Sequence, residues 1–371
     1  MRVAFLAPAN SIHTVQWVNG LARRGLSVHL LSVHPALAGV DPTVTVHALR
    51  PQGGLGYVAA VPALRRALKR LQPDLVHAHY ATGYGAMAAA VRGFPVLLSA
   101  WGSDVYDFPD RSWLHRWVLM RHLRKATALA STSHCMAERV RQFAPQREVF
   151  VTPFGVDTER FVPAQSLQPA EQARNSVSGA AQDEHRVLRI GSAKILAPVY
   201  GFDVLLRAVA QVRAQGVSVE LVLAGDGPQR GDLQALAQQL GLADAVQFLG
   251  ALPHAEMPRF LQSLDVFAAL SRQESFGVAA LEAGACGVPA VLSDAPGFTE
   301  VAVAGHTALL VPREDVAASS QALLSLLRDE AARHRMGEAA RAHVNALYSW
   351  PRVIDSMLLV YQTVLARAMR S

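Results

Sequence analysis

Residues 3–33 read VAFLAPANSIHTVQWVNGLARRGLSVHLLSV and combine two apolar runs with a segment of helical periodicity. Val3–Ala7 is short and continuously apolar, and the polar stretch Pro8–Thr14 follows it. Apolar residues then recur at helical spacing as far as Arg24-Gly25. A second apolar run covers Val28–Val33. This order predicts a β-loop-α-β unit, in which two parallel strands are joined by a crossover helix.

The same alternation of apolar runs and helical segments repeats along the chain. Before residue 163 the further strand candidates are Leu75–Ala78, Val96–Ala100, Leu129–Thr132 and Val149–Thr152. After residue 186 they are Val187–Gly191, Glu220–Ala224, Val246–Leu249, Val266–Ala269, Pro289–Leu292 and Ala308–Val311. Repetition of the unit predicts parallel sheets covered by helices, and therefore an α/β fold with two Rossmann-like, doubly wound domains.

A polar stretch separates the two series. Residues 163–186 are rich in Gln, Ala, Ser and Glu and contain almost no large apolar side chain, which is typical of a linker. We therefore expect an N-terminal domain over residues 1–162 and a C-terminal domain over residues 187–345. Residues 346–371 are expected to form a helix that packs back on the N-terminal domain. The cleft between two such domains is the expected ligand site.

Composition excludes several classes of protein. Apolar residues make up 51% of the chain and charged residues 17%, which excludes a disordered chain. Arg92 interrupts the longest apolar candidate, Ala81–Trp101, so no membrane-spanning helix is expected. The N-terminus has no charged region of the secretory type, which indicates a cytoplasmic protein. Cys135 and Cys286 are the only cysteines, which argues against a disulfide framework.

Charge is distributed unevenly along the chain. Residues 1–160 contain 18 basic and 9 acidic residues, a net charge of +9, whereas residues 161–371 carry −3. This asymmetry indicates an anionic partner for the first half, which composition leaves open as a lipid surface, a phosphorylated acceptor or nucleic acid. Only three of the 35 basic residues are lysines, namely Lys69, Lys125 and Lys194, so a lysine within a motif is informative.

The most informative motif is residues 271–289, SRQESFGVAALEAGACGVP, which follows a predicted strand and opens a predicted helix near Ser275. The free amides of Ser275–Val278 and the helix dipole would form a phosphate site. Glu274 precedes that turn, and Glu282 lies about 12 Å further along a helical axis. That spacing suits an extended ligand and exceeds the roughly 5–9.5 Å between the paired carboxylates of a glycosidase. The two glutamates alone would also fit an ordinary helix with an acidic first turn.

Two common nucleotide-binding motifs are missing from the sequence. Residues 7–11, APANS, follow the first strand without a G-x-G-x-x-G pattern, which argues against a dinucleotide-dependent dehydrogenase. The chain also has no G-x-x-x-x-G-K-[ST] motif of the P-loop type. We predict no nucleic-acid partner, because neither a groove-reading helix nor a stacking platform is apparent.

The glutamate motif, followed by Ala285-Cys286-Gly287 and Pro289, resembles the E-x7-E region of retaining glycosyltransferases of the GT-B fold, family 4. Further matching segments are Ala224–Pro228, Phe248–Gly250, Leu264–Phe267, Pro296–Glu300 and Leu309–Pro312. The resemblance implies two Rossmann-like domains facing a cleft. It also implies that Glu274 contacts the donor hexose and Glu282 the ribose, while Leu249 flanks the base. The amides of Ser275, Phe276, Gly277 and Val278 would hold the phosphates.

The segment after the first strand of the C-terminal domain departs from the family. The family usually presents an Arg and a Lys to the diphosphate, whereas this chain has Lys194 at the first position and Val199 or Tyr200 at the second. Lys194 is expected to stabilise the charge of the leaving diphosphate. Tyr200 could donate a hydrogen bond but carries no charge, and Arg272 is a candidate replacement for the second cation.

The N-terminal domain departs further from the family. Its first loop contains Asn10, Ser11 and His13 in place of a glycine-rich sequence, and Trp101 stands where a histidine is common. By resemblance, these residues and Asp104 would line the acceptor side, although His13 fits a capping or core role equally well. His77 and His79 are spaced as a metal pair would be, but no third ligand is evident, so no metal site is expected.

The segment Arg111–Lys125 combines two tryptophans with five basic residues. It resembles an interfacial helix whose rings lie at the headgroup level and whose cations contact anionic lipid. A core helix with a solvated basic edge is the alternative. The basic pairs Arg65-Arg66 and Lys69-Arg70 could extend the same patch.

We therefore expect a metal-independent, retaining hexosyltransferase that uses a nucleotide diphosphate sugar as co-substrate and needs no cofactor. The acceptor would be a carbohydrate or a lipid-linked sugar, in polysaccharide or glycolipid synthesis at the inner face of a membrane. Two alternatives stay open, a nucleotide-sugar epimerase of the same fold and an inactive subunit that binds sugar nucleotide.

Overall fold

The computed structural model describes residues 1–49, 56–164 and 187–370. The chain divides into two compact units, Met1–Phe154 with Trp350–Ser371 (unit 1) and Gly155–Ser349 (unit 2). The expected linker, residues 163–186, lies almost entirely outside the described residues. In the part of the chain that is described, no helix is both long and apolar enough to cross a membrane.

Unit 1 is built on a parallel sheet. Its strands are β1 (Arg2–Leu6), β2 (Ser27–Ser32), β3 (Thr45–Ala48), β4 (Leu75–His79), β5 (Val96–Ala100), β6 (Ala128–Ser131) and β7 (Val149–Val151). Its helices are α1 (Ile12–Arg23), α2 (Gly56–Ala59), α3 (Val61–Leu71), α4 (Gly83–Ala88), α5 (Ser103–Tyr106), α6 (Trp113–Lys125), α7 (His134–Phe143) and the C-terminal helix Trp350–Ala368. The strand order is β3-β2-β1-β4-β5-β6-β7, so the direction of winding reverses between β1 and β4.

The central strands of unit 1 follow from their apolar runs. Val3–Leu6 are fully buried, and β1 pairs in parallel with β2 and β4, with Val3 opposite both Val28 and Leu75. A parallel sheet covered on both faces needs apolar side chains at successive positions rather than alternation. Strand β3 has no such run because it is the exposed edge of the sheet, and the sequence pattern did not predict it.

The C-terminal helix, Trp350–Ala368, packs on the sheet and on helix α1 of unit 1. Tyr361 is fully buried, and its hydroxyl lies 2.7 Å from His77 Nδ1 on β4. The ring of Trp350 meets that of Trp17 edge-on at 5.2 Å. Gly20 faces Ile354 so closely that an added Cβ would lie 2.7 Å from the isoleucine side chain. The helix therefore covers apolar surface that unit 1 would otherwise expose.

Unit 2 repeats the architecture. Its strands are β8 (Leu188–Ala193), β9 (Val219–Ala224), β10 (Val246–Gly250), β11 (Val266–Ala269), β12 (Ala290–Ser293) and β13 (Ala308–Val311). Its helices are α8 (Phe202–Ala214), α9 (Arg230–Gln239), α10 (Met257–Gln262), α11 (Val278–Ala285), α12 (Pro296–Val301), α13 (Val316–Arg328) and α14 (Glu330–Leu347); the C-terminal helix of unit 1 is α15. The order β10-β9-β8-β11-β12-β13 reverses winding between β8 and β11.

The two parallel sheets with covering helices confirm the predicted α/β class with two Rossmann-like, doubly wound domains. In such sheets ligands bind at the carboxyl ends of the strands where winding reverses. These positions are the ends of β1 and β4 in unit 1 and of β8 and β11 in unit 2. The residues that follow these strands are therefore the first candidates for function.

Candidate functional site

Lys194 and Glu274 meet where the winding of unit 2 reverses. Lys194 follows β8 directly, Glu274 lies five residues after β11, and Nζ is 2.8 Å from Oε2. The carboxylate is almost buried, with 8% of its side chain exposed, whereas 31% of the Lys194 side chain is exposed. The ammonium also lies 5.0 Å from the centre of the Tyr200 ring, a cation–π contact. These three residues line a pocket together with Ser192 and Gly277.

A glycine-rich turn holds the backbone beneath Lys194. Lys194 N donates to Ala224 O at 3.1 Å, which extends the pairing of β8 with β9. A Cβ on Gly225 would lie 1.8 Å from Lys194 O, and one on Gly227 would lie 2.5 Å from Leu196 O. The turn after β9 can therefore approach the loop that carries the lysine only because these positions lack side chains.

The turn before α11 differs from the expectation. The helix begins at Val278 rather than near Ser275, because Gly277 adopts φ 101°, which a helix cannot contain. The amides of Ser275 and Phe276 point back to Glu274 Oε1, at 3.2 and 3.5 Å. The helical rise therefore does not measure the separation between Glu274 and Glu282. The turn instead fixes the orientation of the Glu274 carboxylate.

Glu282 lies on α11 and is 9% exposed. Its Oε1 lies 3.1 Å from Nε2 of His254, in the loop that follows β10. Arg160 contacts the same histidine, with Nη2 donating to His254 O at 2.9 Å and Nη1 lying 3.4 Å from Nδ1. The sequence analysis identified neither His254 nor Arg160. The only signal for His254 was its position after a strand that carries Leu249.

Arg272 forms ion pairs with two carboxylates. Its guanidinium donates to both oxygens of Asp203, at 2.8 and 3.0 Å, and to Glu314 at 2.5 Å. These hydrogen bonds raise the pKa of Arg272, and the same contact lowers the pKa of Asp203. Arg272 also donates to Pro198 O, at the start of the turn that carries Tyr200. The structure therefore places Arg272 as a support for this turn, with its charge already compensated.

Leu249 lies in β10, at the edge of the unit 2 sheet, and 43% of the residue is exposed. The adjacent Gly250 has φ 76° and interrupts the register of β10 with β9. This irregularity ends the strand and leaves the leucine side chain at the surface near the carboxyl end of the sheet.

In unit 1, an aromatic cluster lies at the carboxyl ends of the strands. The ring of His13 stacks on Phe154 at 4.3 Å and meets Trp101 edge-on at 6.1 Å. Trp101 also contacts Phe154 at 5.1 Å and His79 at 4.2 Å. Ser11 is the N-cap residue of α1 without a side-chain cap bond, and Asn10 is exposed beside it. Four of these residues, Asn10, Ser11, His13 and Trp101, were assigned to the acceptor side by resemblance.

Asp104, the fifth residue assigned to the acceptor side, is buried below this cluster with 2% exposure. Its carboxylate accepts hydrogen bonds from the amides of Ala81, at 2.7 Å, Gly102, at 2.8 Å, and Trp101, at 3.1 Å. Burial raises the pKa of this carboxyl against the effect of the three amides. Asp104 therefore ties the turns after β4 and β5 together and sets the backbone of Trp101.

The two histidines of β4 are buried and neutral. His77 Nδ1 pairs with Tyr361 Oη at 2.7 Å and Nε2 pairs with Ser99 Oγ at 2.8 Å. Burial lowers the pKa of His77 to about 3 and holds the pKa of His79 well below its usual range. Among residues 1–49, 56–164 and 187–370, no group of three His, Cys, Asp or Glu side chains could hold a metal ion.

Helix α6 exposes large aromatic side chains. Trp113 is 79% exposed and Trp117 52% exposed, one turn apart on the same face. The guanidinium of Arg121 lies 5.7 Å from the Trp117 ring. The opposite face buries Leu119 and Leu123 against the core of unit 1. The helix is therefore anchored by one face and presents tryptophans and cations on the other.

Comparison with known proteins places this geometry in a family. Residues 178–343 match the model of glycosyl transferases group 1, and residues 2–133 match that of glycosyl transferase 4-like proteins. The chain is 30% identical to a D-inositol 3-phosphate glycosyltransferase from Stackebrandtia nassauensis, over 96% of this chain and 87% of that protein.

Two further matches cover different shares of the chain. A GDP-mannose-dependent monoacylated alpha-(1-6)-phosphatidylinositol monomannoside mannosyltransferase from Corynebacterium glutamicum is 35% identical over 57% of this chain and 55% of that protein. The structure of sucrose-phosphate synthase from Thermosynechococcus elongatus superposes with a TM-score of 0.82 at 20% identity, covering 99% of this chain and all of that one. The chain therefore belongs to the GT-B glycosyltransferases of family 4.

Proposed function

We propose that this glycosyltransferase moves a hexose from a nucleotide diphosphate sugar to an acceptor hydroxyl with retention at the anomeric carbon. The observation that carries the proposal is the Lys194–Glu274 pair, which places one cation and one nearly buried carboxylate beside the start of α11. A diphosphate needs positive charge, and a hexose needs a hydrogen-bond acceptor for its hydroxyls. The pair supplies both within one pocket.

The donor half of the mechanism concerns the leaving diphosphate. As the bond from C1 of the hexose to the phosphate oxygen breaks, negative charge grows on the diphosphate, and Lys194 and the amides at the start of α11 stabilise it. The acceptor oxygen bonds to C1 on the same face, and its proton passes to the departing phosphate oxygen. Glu274 holds the hexose and Glu282 the ribose. Since Lys194 and the amides provide the positive charge, the mechanism needs no metal and no cofactor.

The acceptor half of the proposal rests on unit 1. Trp101, which is 8% exposed, and His13, which stacks on Phe154, lie at the carboxyl ends of the unit 1 strands, and Asp104 holds the loop that carries Trp101. Relatives are named for D-inositol 3-phosphate and for a phosphatidylinositol mannoside, both of which are anionic. The charge of +9 over residues 1–160 would attract an acceptor of this kind. We therefore propose a phosphate-bearing, lipid-linked carbohydrate as acceptor, in glycolipid or polysaccharide synthesis.

Helix α6 supports reversible attachment to a membrane. Its exposed Trp113 and Trp117 suit the headgroup region, and its cations suit anionic lipid. We propose that the protein is cytoplasmic and binds the inner face of the membrane through this helix. An acceptor embedded in that face would then be within reach of the enzyme.

A thermal-shift screen followed by product analysis tests the proposal. UDP, GDP, ADP and dTDP sugars are compared, because a ligand at about 100 times its dissociation constant adds about 2.7 kcal/mol of stability. The stabilising sugar is then incubated with phosphoinositol and lipid-linked acceptors, and NMR gives the anomeric configuration of the product. Conversion of the free nucleotide sugar without acceptor would indicate the epimerase. Binding of the nucleotide sugar without transfer or hydrolysis would indicate the inactive subunit. An inverted product, or activity lost in chelator, would refute the mechanism.

A further inference from the structure

We propose that Arg160 and His254 are a positioning pair that orients the Glu282 carboxylate toward the ribose hydroxyls of the donor. The inference rests on the proposed function, because it assumes that a nucleotide occupies unit 2. It adds two residues that neither the sequence motif nor the Lys194–Glu274 pair includes.

Three separate segments of unit 2 meet at His254. Glu282 comes from α11, His254 from the loop after β10, and Arg160 from the segment that precedes residue 165. The Arg160 guanidinium donates to His254 O at 2.9 Å, which fixes the backbone of the loop. The ring of Phe161 packs against the imidazole at 5.6 Å and 61°. Arg160 therefore fixes the backbone of His254, and Phe161 restricts the orientation of its ring.

These contacts determine which ring nitrogen carries the proton. A guanidinium can only donate, so Nδ1, which lies 3.4 Å from Arg160 Nη1, acts as the acceptor. The proton of the neutral ring then lies on Nε2, which donates to Glu282 Oε1 at 3.1 Å. Arg160 thus selects the tautomer that hydrogen-bonds the carboxylate, and the order of donation runs from Arg160 through His254 to Glu282.

The second oxygen of Glu282 is left for a ligand. Among the described residues, no group donates a hydrogen bond to Glu282 Oε2. This oxygen is also not among the fully buried polar atoms that lack a partner. The side chain is 11% exposed, so its rotamer is restricted while one oxygen stays accessible. A carboxylate with one oxygen anchored and one open can accept a hydrogen bond from a vicinal diol in a single orientation. Ribose presents such a diol, and 2′-deoxyribose does not.

The test compares nucleoside diphosphates that differ only in the ribose. Dissociation constants of UDP and GDP, and of their 2′-deoxy and 3′-deoxy forms, are measured by calorimetry on the full chain. A hydrogen bond to a charged group is worth about ten- to a hundredfold in affinity. The wild type is therefore expected to prefer the ribonucleotide by about tenfold over at least one deoxy form.

Two variants of His254 isolate the contribution of Nε2. In His254→Gln the amide nitrogen reaches the position of Nε2, so this variant should keep most of the preference for the ribonucleotide over the deoxynucleotide. In His254→Asn the amide reaches only the position of Nδ1, so the preference should fall below about threefold while affinity for the deoxynucleotide stays unchanged. Arg160→Met should lower the preference partly, whereas Arg207→Met, an exposed arginine on α8, should not change it.

The outcomes separate the inference from the proposed function. If no nucleoside diphosphate binds the wild type, the proposed function fails and this inference with it. If the ribonucleotides and deoxynucleotides bind the wild type equally, donor binding stands but the positioning role is overturned. If His254→Asn folds, by circular dichroism and thermal unfolding, and keeps the full preference, His254 is only a structural link. An equal loss of affinity for both sugars would overturn the inference in the same way.

Discussion

Replacing Lys194 should impair transfer far more than replacing Arg272, although both are basic residues near the same pocket. Among the residues that the structure describes, the Lys194 ammonium meets the Glu274 carboxylate and the face of Tyr200, and 31% of its side chain is exposed, so it can reach a diphosphate. Arg272 is bound by two carboxylates, Asp203 and Glu314, and its charge is compensated. The sequence alone placed Lys194 at the first of the two expected cation positions and made Arg272 a candidate for the second.

The magnitude for Lys194→Ala follows from its position. Two unit charges about 4 Å apart interact by about 4 kcal/mol at an effective dielectric constant of about 20. Solvent screens part of this energy, because 31% of the Lys194 side chain is exposed. Loss of one preorganised donor at a developing oxyanion costs about 2.7–4 kcal/mol. We therefore expect kcat/KM to fall by about a hundredfold, or about 2.7 kcal/mol.

Arg272→Ala should instead act on stability. Each of its ion pairs is partly exposed and is worth at most about 1 kcal/mol. The loss of about 1–2 kcal/mol should lower Tm by a few degrees. Because the arginine also supports the turn that carries Tyr200, kcat/KM should fall, but by less than tenfold.

The assay measures release of nucleoside diphosphate at several donor concentrations, well below the Tm of every variant. Lys194→Arg serves as the matched control, since it keeps the charge and should retain most of the activity. A greater loss of kcat/KM in Arg272→Ala than in Lys194→Ala, at a temperature where both are folded, would refute the assignment.

Three further predictions concern the hexose site, the surface and the buried histidines. Glu274→Ala should abolish transfer with an unchanged circular dichroism spectrum, and near-normal turnover would remove it from the site. Reversing the charge of the four basic residues on the exposed part of α6 should release the protein from anionic vesicles at physiological salt, because each residue contributes about 1 kcal/mol to binding. Transfer to a soluble acceptor should be unchanged. Sedimentation with vesicles that changes neither with salt nor with the charge reversal would contradict this prediction. The variant carries Arg116→Glu, Arg121→Glu, Arg124→Glu and Lys125→Glu. Burial lowers the pKa of His77 to about 3, so its contribution to the free energy of unfolding is fully present above pH 6.5. Below pH 6.5 that contribution decreases by about 1.4 kcal/mol per pH unit. Urea unfolding at pH 7 and pH 5.5 should show this loss of stability, and the loss should be smaller in His77→Gln.

Local sequence patterns determine the strands and the order of the elements. Continuous apolar runs such as Val3–Ala7 predicted the central strands, because a parallel sheet with helices on both faces buries every side chain of such a run. Edge strand β3 was missed, because its exposed side chains provide no apolar run. The start of α11 was misplaced, because the positive φ of Gly277 arises from packing against Phe298, where an added Cβ would lie 2.9 Å away.

The sequence by itself also pointed to residues of the candidate site, since Lys194 was singled out as a rare lysine and Glu274 by its motif. Only the tertiary structure decided how they are paired. Lys194 and Glu274 are 80 residues apart and meet because the order of the strands places β8 beside β11. The compensation of Arg272 depends on Asp203, 69 residues away, and the link from Arg160 to His254 spans 94 residues. Such contacts depend on strand order and loop geometry, which are set by packing of the whole sheet and leave no periodic trace in the local sequence.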